Sequence, residues 1–167
     1  MVERHSKLQR RSWLTAYAPL FIWTGVVLGL GSGAGSMDET SRFIRPLLEF
    51  VFPAADEASL RLYHVYLRKF THFAEYAVLA VLAVRALSDS STRFKNYPKV
   101  AAFFLVLVVA SIDEFNQSFW TSRSGSIYDV ILDGLGGLAA LSFFYVVKRS
   151  GHDKRLHFDE SPFTDTR

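Results

Sequence analysis

The chain contains no cysteine, and only 21% of its residues are charged. The lack of cysteine excludes disulfide bonds and thiolate metal sites, although it does not identify the compartment. The shortage of charge accompanies a hydrophobic content of 50% and a positive mean hydropathy of +0.15. This composition is unusual for a soluble domain and ordinary for a small multi-span membrane protein.

The sequence also lacks a basic stripe interleaved with aromatic residues, so a net charge of +3 gives no sign of nucleic-acid binding. Its charges lie at the ends of apolar runs, as in membrane proteins. There is no internal repeat and no low-complexity tract. We therefore predict a single membrane domain, residues 14–147, between a basic cytoplasmic tail (1–13) and a charged, frayed cytoplasmic tail (148–167).

Four apolar runs predict an all-α, four-helix transmembrane bundle. An 18-residue helix rises about 27 Å, close to the hydrocarbon thickness of a bilayer. Runs of sufficient length begin at Leu14, Phe70 and Ile127, whereas the run that begins at Val100 is too short unless it extends to Trp120. With that extension, the third span includes the acidic pair Asp113-Glu114 and Gln117.

The first span carries Gly25, Gly29 and Gly33, whose spacing of four residues lets a neighbouring backbone approach one face of the helix. This face is a candidate contact in an oligomer. The alternative interpretation is a cleaved signal peptide, because small residues follow the run. The apolar part of a signal peptide is normally shorter, about 7–15 residues, so we expect the span to be retained.

Residues 37–69 form the longest segment between two spans. We predict two amphipathic helices there, which lie at the membrane interface and cover the outer end of the bundle. The first begins near Asp38 with Ser36 as its cap, and Pro46 kinks or ends it. The second takes residues 56–69, where leucine and tyrosine alternate with arginine.

The orientation of the bundle follows from its basic residues. With the N-terminus inside, most of the 19 Lys and Arg residues lie in the two tails and in the loop at 88–99. The positive-inside rule then places both termini in the cytoplasm, and an even number of spans agrees with this. We therefore expect a multi-pass protein of the cell membrane.

Acidic residues from three spans lie at a similar depth. Glu75, Asp113 and Asp133 each lie five or six residues inside the outer end of a span, which is about 7–9 Å below the extracytoplasmic rim. A charged side chain at mid-membrane costs on the order of 2.5–3.5 kcal/mol, so these groups should face the interior, pair, or reach water. We predict a binding site there, formed by His72, Glu75, Asp113, Glu114, Gln117, Arg123, Asp129 and Asp133.

Two residues near the acids offer them partners. Arg123, in the outer turn, has a planar fork of donors suited to a carboxylate or a phosphate. Glu75 is either its structural partner or a ligand contact. We expect His72 to hydrogen-bond a neighbouring span rather than bind a metal, and we expect no cofactor.

The start of the fourth span allows two interpretations of Asp129. It shares a helical face with Asp133, which Gly136 and Gly137 continue as a close-packing surface. Alternatively, it only completes a capping box that begins at Ser126. Capping does not explain the acidic pair at 113–114, because the helix dipole disfavours negative charge at a C-terminal end.

At these residues the chain resembles the VanZ-like family of small bacterial membrane proteins, over most of the range from Leu14 to Val147. The residues that match the family motifs are Lys69, His72, Phe73, Tyr76, Asp113, Glu114, Gln117, Arg123, Asp129 and Gly136. There are three departures: Asp133 replaces an asparagine, Thr121-Ser122 replaces Pro-Gly, and Ala140 replaces a glycine. The resemblance implies the fold and an envelope location, and a role like that of the family's namesake in low-level resistance to teicoplanin.

Several functions fit the sequence. The leading hypothesis is a non-enzymatic envelope protein whose outer pocket binds a lipid-linked precursor, a lipid headgroup or a partner protein. An enzyme acting on envelope lipids or glycans, with Asp113 or Glu114 as general base, is the second; however, no nucleophile elbow, Ser-x-x-Lys or His-rich set is present. An ion-coupled transporter is the third, although the sequence has no inverted repeat. A scaffold in which the acids only join helices is the last.

Overall fold

The computed structural model describes residues 2–32, 37–88, 93–119 and 125–159. Within these ranges the chain has five α-helices and no strand, which confirms the predicted all-α class. The helices are α1 (Val2–Leu30), α2 (Met37–Val51), α3 (Glu57–Ser88), α4 (Pro98–Gln117) and α5 (Ile127–Asp159), with a short 3-10 helix at Arg93–Asn96.

Two stretches of the described chain are long and apolar enough to cross a membrane. They are α3 and the first part of α5, Ile127–Phe144, while α1 contributes a shorter apolar stretch, Leu14–Leu30. The four-span bundle therefore remains a prediction.

The sequence predicted a separate interfacial helix at 56–69. This prediction is wrong, because the segment forms the first part of α3. No proline or glycine interrupts the chain from Glu57 to Ser88, so nothing separates the arginine-containing segment from the apolar run. Asp56 caps the helix, because its Oδ1 accepts a hydrogen bond from the Ser59 backbone N–H at 2.8 Å. The hydrogen bonds from Ser59 hold the pKa of Asp56 below its usual value.

The predicted first amphipathic helix is α2, and it continues through Pro46 to Val51. Proline removes one helical hydrogen bond, and in this short helix that loss does not end it. One face packs on α3, where Leu48 is buried. Phe43, Leu47 and Phe50, on the neighbouring side of the helix, are exposed. The proposed cap, Ser36, lies outside the described residues.

Helix α3 contacts all four other helices and forms the centre of the fold. Small side chains allow this close packing: Ala80 and Ala83 of α3 and Ala102 of α4 are fully buried. As predicted, the glycines of α5 serve the same purpose. A Cβ on Gly136 would overlap a backbone carbonyl of α3, and one on Gly137 would press against Val106.

Both tails contribute to long helices. Helix α1 begins at Val2, within the basic tail, and α5 continues to Asp159. The part of the C-terminal tail up to Asp159 is therefore helical rather than frayed, since no proline occurs in residues 148–159 to stop the helix. Residues 160–167 lie outside the described chain.

Candidate functional site

Three carboxylates meet between α3, α4 and α5. Asp133 of α5 has no exposed surface, and Asp113 and Glu114 of α4 are 1% and 5% exposed. We refer to these three acids, with His72 and Tyr76 of α3 and Gln117 of α4, as the acidic cluster. Of the three acids predicted at one depth, Asp113 and Asp133 lie together in this cluster, whereas Glu75 does not belong to it.

Asp113 is held by a chain of hydrogen bonds that reaches α3. Its Oδ2 accepts from the Tyr76 hydroxyl at 3.3 Å and from the Gln117 amide nitrogen at 3.1 Å. The Gln117 Oε1 in turn accepts from Arg68 Nη2 at 3.1 Å. The other oxygen, Oδ1, has no hydrogen-bond partner among the described residues. Gly31, just after α1, lies so close that a Cβ would overlap this carboxylate.

Glu114 caps the helix that follows its own. Its Oε2 accepts a hydrogen bond from the Ser126 backbone N–H at 2.9 Å, across the turn that precedes α5. The expectation that capping does not explain the acidic pair is therefore wrong for Glu114. Glu114 lies at the C-terminal end of its own helix, where the dipole disfavours negative charge, but its carboxylate reaches the N-terminal end of the next helix, where the dipole favours it. Its Oε1 has no partner in the described chain.

Asp129 lies in the first turn of α5, on the same helical face as Asp133, but it does not complete the predicted capping box. Ser126 does cap α5, since its Oγ accepts from the Tyr128 N–H at 3.2 Å. The reciprocal bond of a capping box, however, comes from Glu114 instead of Asp129. Asp129 forms an ion pair with Lys69 of α3, with the two side chains 28% and 47% exposed. It lies at the rim, outside the buried acids.

Asp133 faces His72 across the contact between α5 and α3. The distance from its Oδ1 to His72 Nδ1 is 3.6 Å, too long for a hydrogen bond. Neither carboxylate oxygen has a partner among the described residues. Buried charges in proteins are normally paired or bound to a metal, so this position needs a cation or a proton.

A pocket of about 330 Å³ lies on the other side of His72, between α1, α2 and α3. Leu30, Ile44 and Leu67 are among its apolar lining residues, and His64, Arg68, His72 and Glu75 are among its polar ones. The Trp23 indole N–H donates to the backbone oxygen of Glu75 at 3.0 Å and joins α1 to this wall. His72 belongs both to the pocket and to the acidic cluster.

The structure brings together five of the predicted site residues: His72, Asp113, Glu114, Gln117 and Asp133. Glu75 lines the adjacent pocket and Asp129 lies at the rim, while Arg123 is outside the described residues. Sequence reasoning missed Arg68. Extending the predicted second span toward the N-terminus would have included Arg68 in the site, since residues 68, 72 and 76 lie four apart on one helical face.

These features define a small all-α protein with helices apolar enough for a membrane and a buried acidic cluster. Residues 15–148 match the family described as VanZ/LLP1. The match covers most of the chain, so the protein belongs to the VanZ-like family. Comparison with curated proteins finds no match, and neither does comparison with solved structures.

Proposed function

We propose that this protein is a four-span component of the bacterial cell envelope, with both termini in the cytoplasm, whose extracytoplasmic pocket binds the anionic headgroup of a lipid or a lipid-linked precursor. Family membership and the two apolar helices support a membrane location. The apolar stretch of α1 and helix α4 complete the bundle in this proposal. Helix α4 exposes Phe104, Val108 and Phe115, as a helix in contact with lipid does.

The observation that carries the proposal is the mixed lining of the pocket. Leu67 and Arg68 are adjacent in sequence, and both line it, so apolar and cationic surfaces meet within one turn of α3. A volume of about 330 Å³ lies at the small end of the range for ligand pockets. It suits a headgroup with the start of its chain, while the remaining chain stays in the bilayer.

The position of α2 supports access from the membrane. This helix contributes Thr40 and Ile44 to the pocket, and its apolar face continues to the exposed Phe43, Leu47 and Phe50. A helix with one apolar face and a charged remainder lies in the headgroup region of a bilayer. The pocket beneath such a helix opens at the depth where headgroups are found.

Binding of defined lipids by the purified protein tests the proposal. A polyprenyl phosphate and phosphatidylglycerol are compared with phosphatidylcholine by native mass spectrometry from detergent. We expect retention of the anionic lipids and about tenfold weaker binding in Arg68→Gln, because a hydrogen bond to a charged group contributes about 1.5–3 kcal/mol. Arg61→Gln, an exposed position on the same helix, is the matched control. Equal retention of neutral and anionic lipids would contradict the proposal.

An enzyme acting on envelope lipids or glycans is the second candidate. The observation that favours it is a pair of buried oxygens, Asp113 Oδ1 and Glu114 Oε1, that have no hydrogen-bond partner in the part of the chain that the structure describes. Such an oxygen is available to accept a proton as a general base. Product formation from a lipid-linked substrate by the purified protein, lost in Asp113→Asn, would favour this function over binding alone.

A cellular role in resistance and an oligomeric state are also proposals. Teicoplanin susceptibility of cells with and without the gene tests the first. For the second, Gly25 and Gly29 are exposed, and no described residue has an atom within 4 Å of an added Cβ, so that face of α1 is open to another helix. Gly33 lies outside the described residues. Crosslinking that Gly25→Leu abolishes would support an oligomer.

A further inference from the structure

We propose that His72, Glu114 and Asp133 bind one divalent transition-metal ion between α3, α4 and α5. Each residue offers one ligand atom, and the three atoms lie within 4.8 Å of one another. The ligands come from three different helices, so a bound ion would join the parts of the fold that surround the acidic cluster. This goes beyond the proposed lipid binding and does not depend on it.

The distances suit ligands of a common ion better than they suit direct bonds. His72 Nδ1 and Asp133 Oδ1 are 3.6 Å apart, beyond hydrogen-bonding range. Two ligands of a tetrahedral ion, each about 2.0–2.1 Å from the metal, are separated by about 3.4 Å. All three ligand atoms lie within 4.8 Å of one another, so any wider separation would have to shorten to about 3.4 Å when an ion binds.

An independent observation is that these ligand atoms have no hydrogen-bond partner among the described residues. His72 Nδ1, Glu114 Oε1 and both oxygens of Asp133 are buried without a hydrogen bond in the described chain. Buried polar groups are nearly always hydrogen-bonded, and buried charges are paired or coordinate metals. The other oxygen of Glu114, Oε2, accepts a hydrogen bond from the Ser126 N–H, which fixes the carboxylate and leaves Oε1 as the oxygen that can bind an ion.

The donor set indicates the kind of ion. One imidazole nitrogen and two carboxylate oxygens suit Zn²⁺ or Mn²⁺, whereas Ca²⁺ and Mg²⁺ prefer sites made of oxygen alone. Three protein ligands leave a position open on a tetrahedral ion, as in catalytic zinc sites. Because His72 also lines the pocket, the ion would place positive charge next to that pocket.

The test measures metal alone, on the full-length protein purified in detergent with an affinity tag that contains no histidine. Metal content is determined by mass spectrometry, and protein stripped with a chelator is titrated with Co²⁺, whose visible absorption reports the number of ligands. We expect one ion per chain and tetrahedral cobalt bands. Asp133→Asn should weaken binding by more than the about 10- to 100-fold that outer-shell changes cost.

The control is Asp129→Asn, which makes the same substitution one helical turn away, at a residue paired with Lys69. It should leave metal content and cobalt bands as in the wild type. The proposal is overturned if the folded wild type neither contains metal nor develops cobalt bands, or if both substitutions weaken binding equally. Metal content and cobalt bands are measured first on the wild-type protein, so this part of the test does not depend on whether a variant folds.

Discussion

Gly136 of α5 lies against the backbone carbonyl of Phe73 on α3 so closely that a Cβ would overlap it. This contact lies next to the acidic cluster. His72 directly precedes Phe73, and Asp133 lies one helical turn before Gly136. The close approach of the two backbones therefore sets the 3.6 Å separation of the histidine and the buried acid.

Gly136→Ala should separate α3 from α5. The added methyl group meets backbone, which cannot rotate away, so we expect a loss of about 1–3 kcal/mol in the free energy of unfolding. Gly29→Ala is the matched control, because an added Cβ there meets no atom of the described residues within 4 Å; it should be neutral, or stabilising by about 1 kcal/mol or less. Unfolding in detergent by heat or denaturant measures both. Equal effects of the two changes would show that the helices are not closely packed at Gly136.

Tyr76→Phe should remove one of the two hydrogen bonds to Asp113 Oδ2. Tyr76 is fully buried, and the bond measures 3.3 Å. We expect a loss of about 1 kcal/mol, with a coupling to Asp113→Asn in a double-mutant cycle. Tyr66→Phe, at a residue 61% exposed, should change nothing. Additive effects of the Tyr76 and Asp113 substitutions would contradict the interaction.

Two substitutions of Glu114 should separate its capping role from its charge. Glu114→Gln keeps an oxygen that can accept from the Ser126 N–H, whereas Glu114→Ala removes the cap at a cost of about 0.5–2 kcal/mol. We expect the glutamine variant to unfold near the wild-type temperature, and both variants to bind the proposed metal more weakly. Equal destabilisation by the two changes would argue against the cap.

Asp133→Asn should change stability in opposite directions with and without metal. In a chelator, the wild type retains a fully buried carboxylate with no hydrogen-bond partner in the described chain, so removing its charge should stabilise the fold. With Zn²⁺ or Mn²⁺ added, the wild type gains binding energy that the variant lacks and becomes the more stable form. Thermal unfolding of both proteins under both conditions checks this. No dependence on metal would count against the site.

Asp129→Asn should have a small effect that salt reduces further. Its partner Lys69 is about half exposed, and exposed ion pairs contribute about 0.2–1 kcal/mol. We expect a loss within that range at low ionic strength and almost none at high ionic strength. A large loss that salt does not change would mean that Asp129 has a buried role.

The sequence predicted the burial of the polar residues better than their partners. The short apolar run after Val100 forced Asp113 and Glu114 into a helix, and both are indeed buried at the end of α4. The position of a residue along a helix follows from counting residues, but its partners depend on the rotation of each helix about its axis, which tertiary packing decides. For this reason neither the bond from Tyr76 to Asp113 nor the cap from Glu114 to Ser126 was predicted.

The other errors came from placing a helix boundary by hydrophobicity. The predicted break before Phe70 follows a change in polarity, yet the backbone of α3 is continuous there. The sequence signals that end a helix are glycine or asparagine just after it and proline beyond it, and none of these residues occurs at that point. The misplaced boundary hid Arg68, which lies one turn before His72 and reaches Gln117.

We propose that the acidic cluster lies near the extracytoplasmic end of a four-span bundle. Single cysteines introduced into this cysteine-free chain test this position directly. Ala54→Cys marks the turn between α2 and α3, and Asn96→Cys marks the connection before α4; both positions are exposed. With a membrane-impermeant maleimide on intact spheroplasts, we predict labelling of the cysteine at position 54, and labelling at position 96 only after permeabilisation. Labelling of position 96 alone, or of both equally, on intact spheroplasts would contradict the account.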